Sequence, residues 1–371
     1  MRKQSESGLR QPAVKLVVQP GDGMDALLEG ISTAKKSLEI AIFRFDQKKI
    51  EQALERAVAR GVAVSALIAS VNRAGEKYLR ALELRLLGAG VKVARTASDL
   101  VRYHGKYMIV DQRVLYVLGF NWTHADIEHS RSFGVITRNP AMVREAMRLF
   151  DADSRRVPVD PPPAKLVVSP LNARRQLAAF LLQAKKELVI YDPKVGDKEM
   201  LKALAKRAKE GVKIRMLGKL QKPIAGMEAR KLAGLRLHTR TIVRDGTDAF
   251  VGSQSLRAAE LDVRREVGMI VRDPAVVNGV LATFEADWEK AAEAARIAPA
   301  APLVKMARKL AKAVVKELPA IAPAVNGAVA EGRKPDPEEI AQEVAEIVRD
   351  AVQDAMKNVV GDAQKAGGVT R

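Results

Sequence analysis

The chain has 371 residues, 47% of them apolar and 29% charged, with no cysteine and a formal net charge of +19. That length and apolar content suit two or three domains with cores of their own and exclude a disordered chain, while the missing cysteines exclude disulfides and thiolate metal sites. A charge of this sign calls for an anionic partner, whether nucleic acid, an acidic membrane surface or a phosphorylated substrate, and does not choose among them.

Residues 1–10 carry no apolar stretch of the signal-peptide kind, and no run of about 18 or more apolar residues occurs anywhere. The expectation is a cytoplasmic protein, soluble or peripheral to a membrane, without signal peptide or transmembrane helix. Short runs rich in Val and Ile at Leu38–Phe43, Val62–Ile68 and Val91–Ala94 predict strands covered on both faces. Amphipathic segments such as Ile50–Arg60 and Lys198–Glu210 predict the helices that cover them, which makes the class α/β.

Residues 103–123 concentrate the chemistry. The chain has four histidines, and His104 stands two residues before Lys106 on a predicted strand, so both side chains point the same way. A neutral imidazole attacks electrophiles and a fixed cation suits an anion, so the pair suggests nucleophilic work on a phosphoryl group. The plain alternative is a strand end carrying a capped histidine. Pro158 and Pro161-Pro162-Pro163 then mark a linker.

Beyond the linker the chain repeats itself. Lys15-Leu16-Val17-Val18-Gln19-Pro20 returns as Lys165-Leu166-Val167-Val168-Ser169-Pro170, and Arg60-Gly61-Val62 as Glu210-Gly211-Val212, both at an offset of 150. Gly134 to Pro140 returns as Gly268 to Pro274 at an offset of 134, and so does His104 as His238. The second copy must therefore lack about sixteen residues ahead of its histidine, where the first carries the helix around Tyr78–Leu87. Two histidines at equivalent places in a duplicated unit are no accident of composition. The predicted organisation is a first domain over 1–160, a second over 161–298 and a helical appendage over 299–371.

The appendage reads as two helices around a Pro/Gly break, with apolar stripes at Leu303, Leu310 and Val314 and at Ile340, Val344 and Ile347. It holds 11 Lys/Arg and 10 Asp/Glu over residues 301–371, which leaves +18 on the first 300 residues. A hairpin packed on the body or on a second copy is the plain reading; a membrane-surface role for the basic first helix is the sharper one.

Side by side, the two histidine segments resemble the phospholipase D superfamily, whose signature is His-x-Lys-x4-Asp followed by a Gly-Ser-x-Asn turn, normally present twice. The first copy is His104-Gly105-Lys106 with Asp111, then Leu118-Gly119-Phe120-Asn121; the second is His238-Thr239-Arg240 with Asp245, then Gly252-Ser253-Gln254-Ser255. The resemblance covers roughly residues 14–290. It implies two similar α/β/α sandwich domains forming a pseudo-dimer, with one site between them.

In that site one histidine attacks a phosphodiester phosphorus to form a covalent phosphohistidine, while the other protonates the leaving oxygen and later activates water or an alcohol. No metal or other cofactor is implied, because the family's lysines and asparagines neutralise the phosphoryl oxygens. His104, Lys106, Asn121, His238 and Arg240 take the catalytic roles. Asp111, Asp245, Ser253 and Ser255 support them. Both copies depart from the pattern: Leu118-Gly119 stands where the family has Gly-Ser in the first, and Arg240 and Ser255 replace the lysine and the asparagine in the second.

The family acid that orients each histidine is Glu266 in the second copy, whereas Ser132 stands at that place in the first. Reading the acid within its own half, the expectation is that Glu266 serves His238. His104, with the fuller phosphate-binding set, is then the expected nucleophile and takes its acid from Glu128 or Asp126, with reversed roles open. His124 and His129 read as exposed loop residues, and Trp122 as packing.

By analogy with two-copy lipid enzymes, the substrate is expected to be a phospholipid, approached by peripheral membrane contact and hydrolysed or exchanged to another alcohol in the manner of a cardiolipin synthase. A nuclease of the same mechanism and a decayed anion-binding member stay open as alternatives.

Overall fold

The computed structural model describes residues 14–70 and 76–297. The expected helical hairpin at 299–371 and the segment 1–10 lie outside the described residues. The described residues up to Ala294 group into one compact unit.

The first half runs β1 (Val14–Gln19), α1 (Asp25–Thr33), β2 (Ser37–Ile42), α2 (Lys48–Ala59), β3 (Ala63–Ile68), α3 (Glu76–Gly88), β4 (Lys92–Arg95), β5 (Arg102–Tyr103), β6 (Tyr107–Val110), β7 (Val114–Leu118), α4 (His124–Glu128), β8 (Ser130–Thr137) and α5 (Pro140–Arg155). The second half runs β9 (Leu166–Ser169), α6 (Ala173–Leu182), β10 (Glu187–Val195), α7 (Lys198–Lys209), β11 (Lys213–Leu220), β12 (Met227–Arg230), β13 (Arg236–Leu237), β14 (Arg240–Arg244), β15 (Asp248–Gly252), α8 (Ala258–Asp262), β16 (Arg264–Val271) and α9 (Pro274–Ile297). The order is the same in both, except that β12 follows β11 directly where α3 separates β3 from β4. The missing helix accounts for the shift of offset read from the sequence.

Local chemistry repeats with the order. Asn139 accepts hydrogen bonds from Ala141 N and Met142 N at the start of α5, and Asp273 does the same for Ala275 N and Val276 N at the start of α9, each with proline at the first helical position. Gly61 and Gly211 leave α2 and α7 with φ of +85° and +87°, a left-handed conformation that a side chain disfavours.

The sheets are mixed, ordered β1-β8-β7-β6-β2-β3-β4 and β12-β11-β10-β14-β15-β16-β5 along their main paths. Alternation along each strand divides the apolar residues between two layers. On β6, Met108 and Val110 face α1, α2 and α3, while Tyr107 and Ile109 join β8, β10, β15, β16, α5 and α9 in a shared central core. The outer face of the second sheet packs separately against α6 and α7.

The two short strands do not stay with their own half. β5 pairs in parallel with β16 of the second sheet through Arg102↔Arg264 and Tyr103↔Arg265, and β13 pairs in parallel with β8 of the first through Arg236↔Ser130 and Leu237↔Arg131. The expected continuous strand through each histidine is therefore corrected. His104-Gly105-Lys106 and His238-Thr239 are links between a strand paired with one sheet and a strand paired with the other. A chain crossing between two ladders has to leave both for a few residues, and the histidines occupy those residues.

Asp111 and Asp245 brace the far ends of β6 and β14. Asp111 Oδ1 accepts from Lys35, Lys36 and Ser37 N at 3.0, 2.6 and 3.0 Å, and Asp245 Oδ1 from Lys185, Lys186 and Glu187 N at 3.1, 2.7 and 3.0 Å. Burial pushes both carboxyls up, but the backbone N–H groups outweigh it and hold both below the usual carboxylate range. Their stabilisation is complete above the ordinary aspartate pKa, about 3.9, and is lost as pH falls through the lower folded-state value. Asp111→Ala, which strands three donors, is expected to cost about 2 kcal/mol in urea unfolding at pH 7, with a smaller deficit at pH 3.

Candidate active site

Each exchanged strand delivers a histidine to the junction of the two sheets. His104 N and Gly105 N donate to Arg265 O at 2.7 and 2.9 Å, and His238 N and Thr239 N donate to Arg131 O at 3.2 and 3.0 Å. The two accepting arginines are anchored across the junction as well. Arg131 forms a two-pronged pair with Asp287 of α9 at 2.7 and 3.0 Å, and Arg265 reaches Asp153 of α5 at 3.0 Å. Each half thus fixes the backbone on which the other half's histidine hangs.

His104 is 8% exposed, and its Nδ1 lies 2.8 Å from Glu266 Oε2. Phe43 meets the imidazole edge-on at 4.9 Å between ring centres. Lys106 is fully buried, with Nζ donating to His104 O at 2.5 Å and lying 5.8 Å from the centre of the same Phe43 ring. His104 and Lys106 therefore share one face, as expected, although by way of a link rather than a strand.

The acid assignment is corrected. Glu266 serves His104, not the histidine of its own half, because β5 pairs with the start of β16 and brings His104 onto that strand's carboxylate. Glu128 is not a substitute: it is exposed on α4 and paired with His124 Nδ1 at 2.9 Å. His124 and His129 are exposed, and Trp122 is fully buried against Phe45.

Around His238 the arrangement differs. Its Nδ1 lies 3.6 Å from Asp126 Oδ2 and has no hydrogen-bond partner among the described residues. Arg240 Nη1 donates to His238 O at 2.5 Å, and Arg240 Nε to Ser255 Oγ at 3.1 Å, so the arginine occupies the place equivalent to Lys106. Asn121 donates to Asp126 Oδ2 from N at 2.8 Å and from Nδ2 at 2.6 Å. Ser253 Oγ accepts from Val267 N at 3.1 Å and holds its turn against β16.

Burial holds both imidazoles well below their ordinary pKa. For His104 the charges of Lys106 and Arg240 add to it; for His238 Asp126 opposes it, while Arg240 and Lys106 again push down. Both histidines therefore feel both cations, as one joint site requires. Burial pushes the Lys106 ammonium down to about 7, against the upward pull of Glu266. Burial also raises the Glu266 carboxyl, opposed first by Lys106. At neutral pH His104 is a neutral imidazole whose hydrogen bond assigns the ring proton to Nδ1 and leaves the Nε2 lone pair free.

Several residues of the site were missed in the sequence. Glu260 accepts from Ser255 N at 2.7 Å and is the counterpart of Asp126; Arg131 and Arg265, and Asp153 and Asp287, are counterparts too. All three pairs obey the offset of 134. Searching that offset for matched charges would have found them.

Comparison with known proteins gives three results. The family model described as cardiolipin synthase, phospholipase D-like domain, matches residues 27–154 and again 177–288. Mitochondrial cardiolipin hydrolase of Danio rerio is 30% identical over 130 residues, 34% of this chain and 56% of that one, and the Homo sapiens protein is 28% identical over 158 residues, 40% and 61%. The chain spans little more than half the length of these curated relatives. Among solved structures, phosphatidylserine synthase of Haemophilus influenzae aligns over 75% of this chain and 85% of its own with a TM-score of 0.56 at 12% identity. Polyphosphate kinase of Porphyromonas gingivalis aligns over 73% and 50% with a TM-score of 0.61 at 18% identity. Likeness at these identities is one of fold.

Proposed function

Because the chain belongs to the cardiolipin synthase, phospholipase D-like domain family, we propose that it cleaves or exchanges the phosphodiester of a phospholipid through a phosphohistidine on His104. The observation that carries this reading is a neutral imidazole, oriented by a buried carboxylate, at a junction where Lys106 and Arg240 act on both histidines.

In the proposed reaction, His104 Nε2 attacks phosphorus and the P–N bond forms as the P–O bond to the leaving alcohol breaks. His238, which enters this step as the imidazolium, gives its proton to that oxygen and is left neutral. In the second step water or another alcohol loses its proton to His238 and attacks phosphorus, the P–N bond breaks, and His104 returns to its neutral state. Lys106 and Arg240 stabilise the charge spread over the phosphoryl oxygens.

Two exposed valines close in sequence to His104 and Glu266 favour an amphiphile over a polymer. Val101 is 73% exposed and Val263 40%, and the Val101 N–H donates to Val263 O at 3.0 Å. Beside Val101, the Arg102 guanidinium stands 5.4 Å over the Phe43 ring that abuts His104. Exposed apolar side chains with a cation beside them, on the segments that lead into His104 and Glu266, suit a lipid's acyl and phosphate parts. No helix among the described residues is long and apolar enough to cross a membrane, so the substrate would be reached from a bilayer surface.

The test is release of headgroup alcohol from phosphatidylglycerol and phosphatidylcholine vesicles by the full chain, with and without EDTA. Turnover indifferent to EDTA is expected. Degradation of single-stranded DNA with vesicles left untouched would overturn the lipid reading in favour of a nuclease.

A pH dependence follows from Lys106. Its charge is present below about pH 7 and lost above it, so on a 4-nitrophenyl alkyl diester, whose leaving group needs no proton from His238, kcat/KM should fall on the alkaline side with a midpoint near 7. Lys106→Arg, which cannot lose its charge in this range, is expected to displace that limb upward by at least about 2 pH units.

A further inference from the structure

We propose that Asp126 is the positioning acid of His238, standing in for the carboxylate that the first half lacks at Ser132. The proposal rests on the reading of the junction as a phosphodiester site. It concerns how that site is completed when one of its two acids is missing.

The acid–histidine connection runs across the junction on the intact side: Glu266 of the second half meets His104 of the first. On the other side the equivalent residue is Ser132, fully buried, with an Oγ that has no partner among the described residues. A hydroxyl supplies no charge to an imidazole. Asp126 is also a first-half residue, is 3% exposed, and presents Oδ2 to His238 Nδ1 at 3.6 Å. It restores the crossed connection by another route.

Asp126 holds this place independently of His238. Asn121 N and Nδ2 fix Oδ2, and Arg236 bonds Oδ1 from the strand that leads into His238. Burial pushes its carboxyl up, but His238, the Asn121 N–H, Arg236 and the Asn121 amide together keep it below the usual range and therefore ionised.

The counterpart in the second half shows why the same device is absent there. Glu260 is bonded to Ser255 N at 2.7 Å and Arg264 Nη1 at 3.2 Å, and lies 3.8 Å from Arg240 Nε. It is occupied by its own half's cations, and His104 has Glu266.

At 3.6 Å the contact is longer than a hydrogen bond, so Asp126 acts on His238 chiefly through charge. That favours an imidazole that must carry a proton to a leaving oxygen and then take one from water. The charged groups acting on His238 are Asp126 in one direction and Arg240, Lys106 and Arg236 in the other. Asp126 is the one among them that favours the imidazolium, against burial and the three cations, which together keep the His238 pKa well below its ordinary value.

Two measurements on the full chain test this. With 15N-labelled histidine, Asp126→Asn is expected to lower the His238 titration midpoint and leave that of His104 in place. In kcat/KM, which reports the first step up to departure of the alcohol, the same variant should lose about 10- to 100-fold on phosphatidylglycerol, whose alkoxide needs a proton, and less than about 3-fold on a 4-nitrophenyl alkyl phosphodiester, whose leaving group does not.

Adding Ser132→Glu to Asp126→Asn should recover most of the selective loss, and Asp126→Glu, which keeps the charge and the fold, should show little of it. An unchanged His238 titration overturns the proposal, as does equal loss on both diesters without recovery by Ser132→Glu, which would leave Asp126 as a brace for Asn121. If the unmodified protein turns over neither diester, the functional reading fails, while the titration still decides the Asp126 contact.

Discussion

Replacing His104 by asparagine is expected to abolish turnover, lowering kcat/KM by about 10⁴-fold or more while the protein stays folded. The expectation rests on three features of this imidazole. Burial and the charges of Lys106 and Arg240 keep it neutral, the 2.8 Å contact with Glu266 assigns the proton to Nδ1, and Nε2 is left with its lone pair. An asparagine amide can take up the Glu266 contact, so the buried carboxylate is not stranded, but it has no nucleophilic nitrogen.

The sharper outcome is in the intermediate. With a 4-nitrophenyl leaving group, His238→Asn should still form an acid-labile phosphoprotein adduct and accumulate it, because the first step needs no proton donor and the second lacks its base. His104→Asn should form none. The reverse pattern would exchange the roles of the two histidines.

The second large effect is expected from Glu266→Gln, a loss of about 10² to 10⁴ in kcat with KM little changed. Glutamine nearly preserves the shape of this fully buried side chain. Its amide, however, can donate to Nδ1 and so favour the tautomer whose proton sits on Nε2, which removes the attacking lone pair. Glu266 is also the strongest upward influence on the Lys106 ammonium. Without it the alkaline limb should move below pH 7, which separates this variant from a merely misfolded one. A Glu266→Gln enzyme with an undisplaced limb and wild-type kcat would show that the carboxylate does not orient the nucleophile.

These effects have their root in losses of opposite kind in the two halves. The second half keeps the acid at Glu266 and gives up the lysine and asparagine for Arg240 and Ser255; the first keeps Lys106 and Asn121 and gives up the acid for Ser132. Were each half to serve its own histidine, both histidines would be short of a partner. Because the connections cross, His104 combines the lysine of its own half with the acid of the other and is fully equipped.

The duplication, the order of elements and the identity of the two histidines are legible in the chain alone. Each of these leaves a local or periodic trace: an offset of 150 changing to 134 where α3 is missing, apolar alternation on strands, a cap and proline at the start of α5 and α9, and a glycine at the end of α2 and α7. Which acid meets which histidine follows from the packing of the two sheets. An internal repeat says that Glu266 and Ser132 are equivalent, but a site built on a twofold relation can join equivalent residues within a half or across it, and both choices have the same offset. What selects between them is the pairing of β5 with β16 and of β13 with β8, and strands of two residues are too short to show any periodicity of their own. Asp126 was legible as a candidate acid, but for the histidine of its own half: the exchange that sets it beside the other half's histidine exists only once the two sheets are packed together.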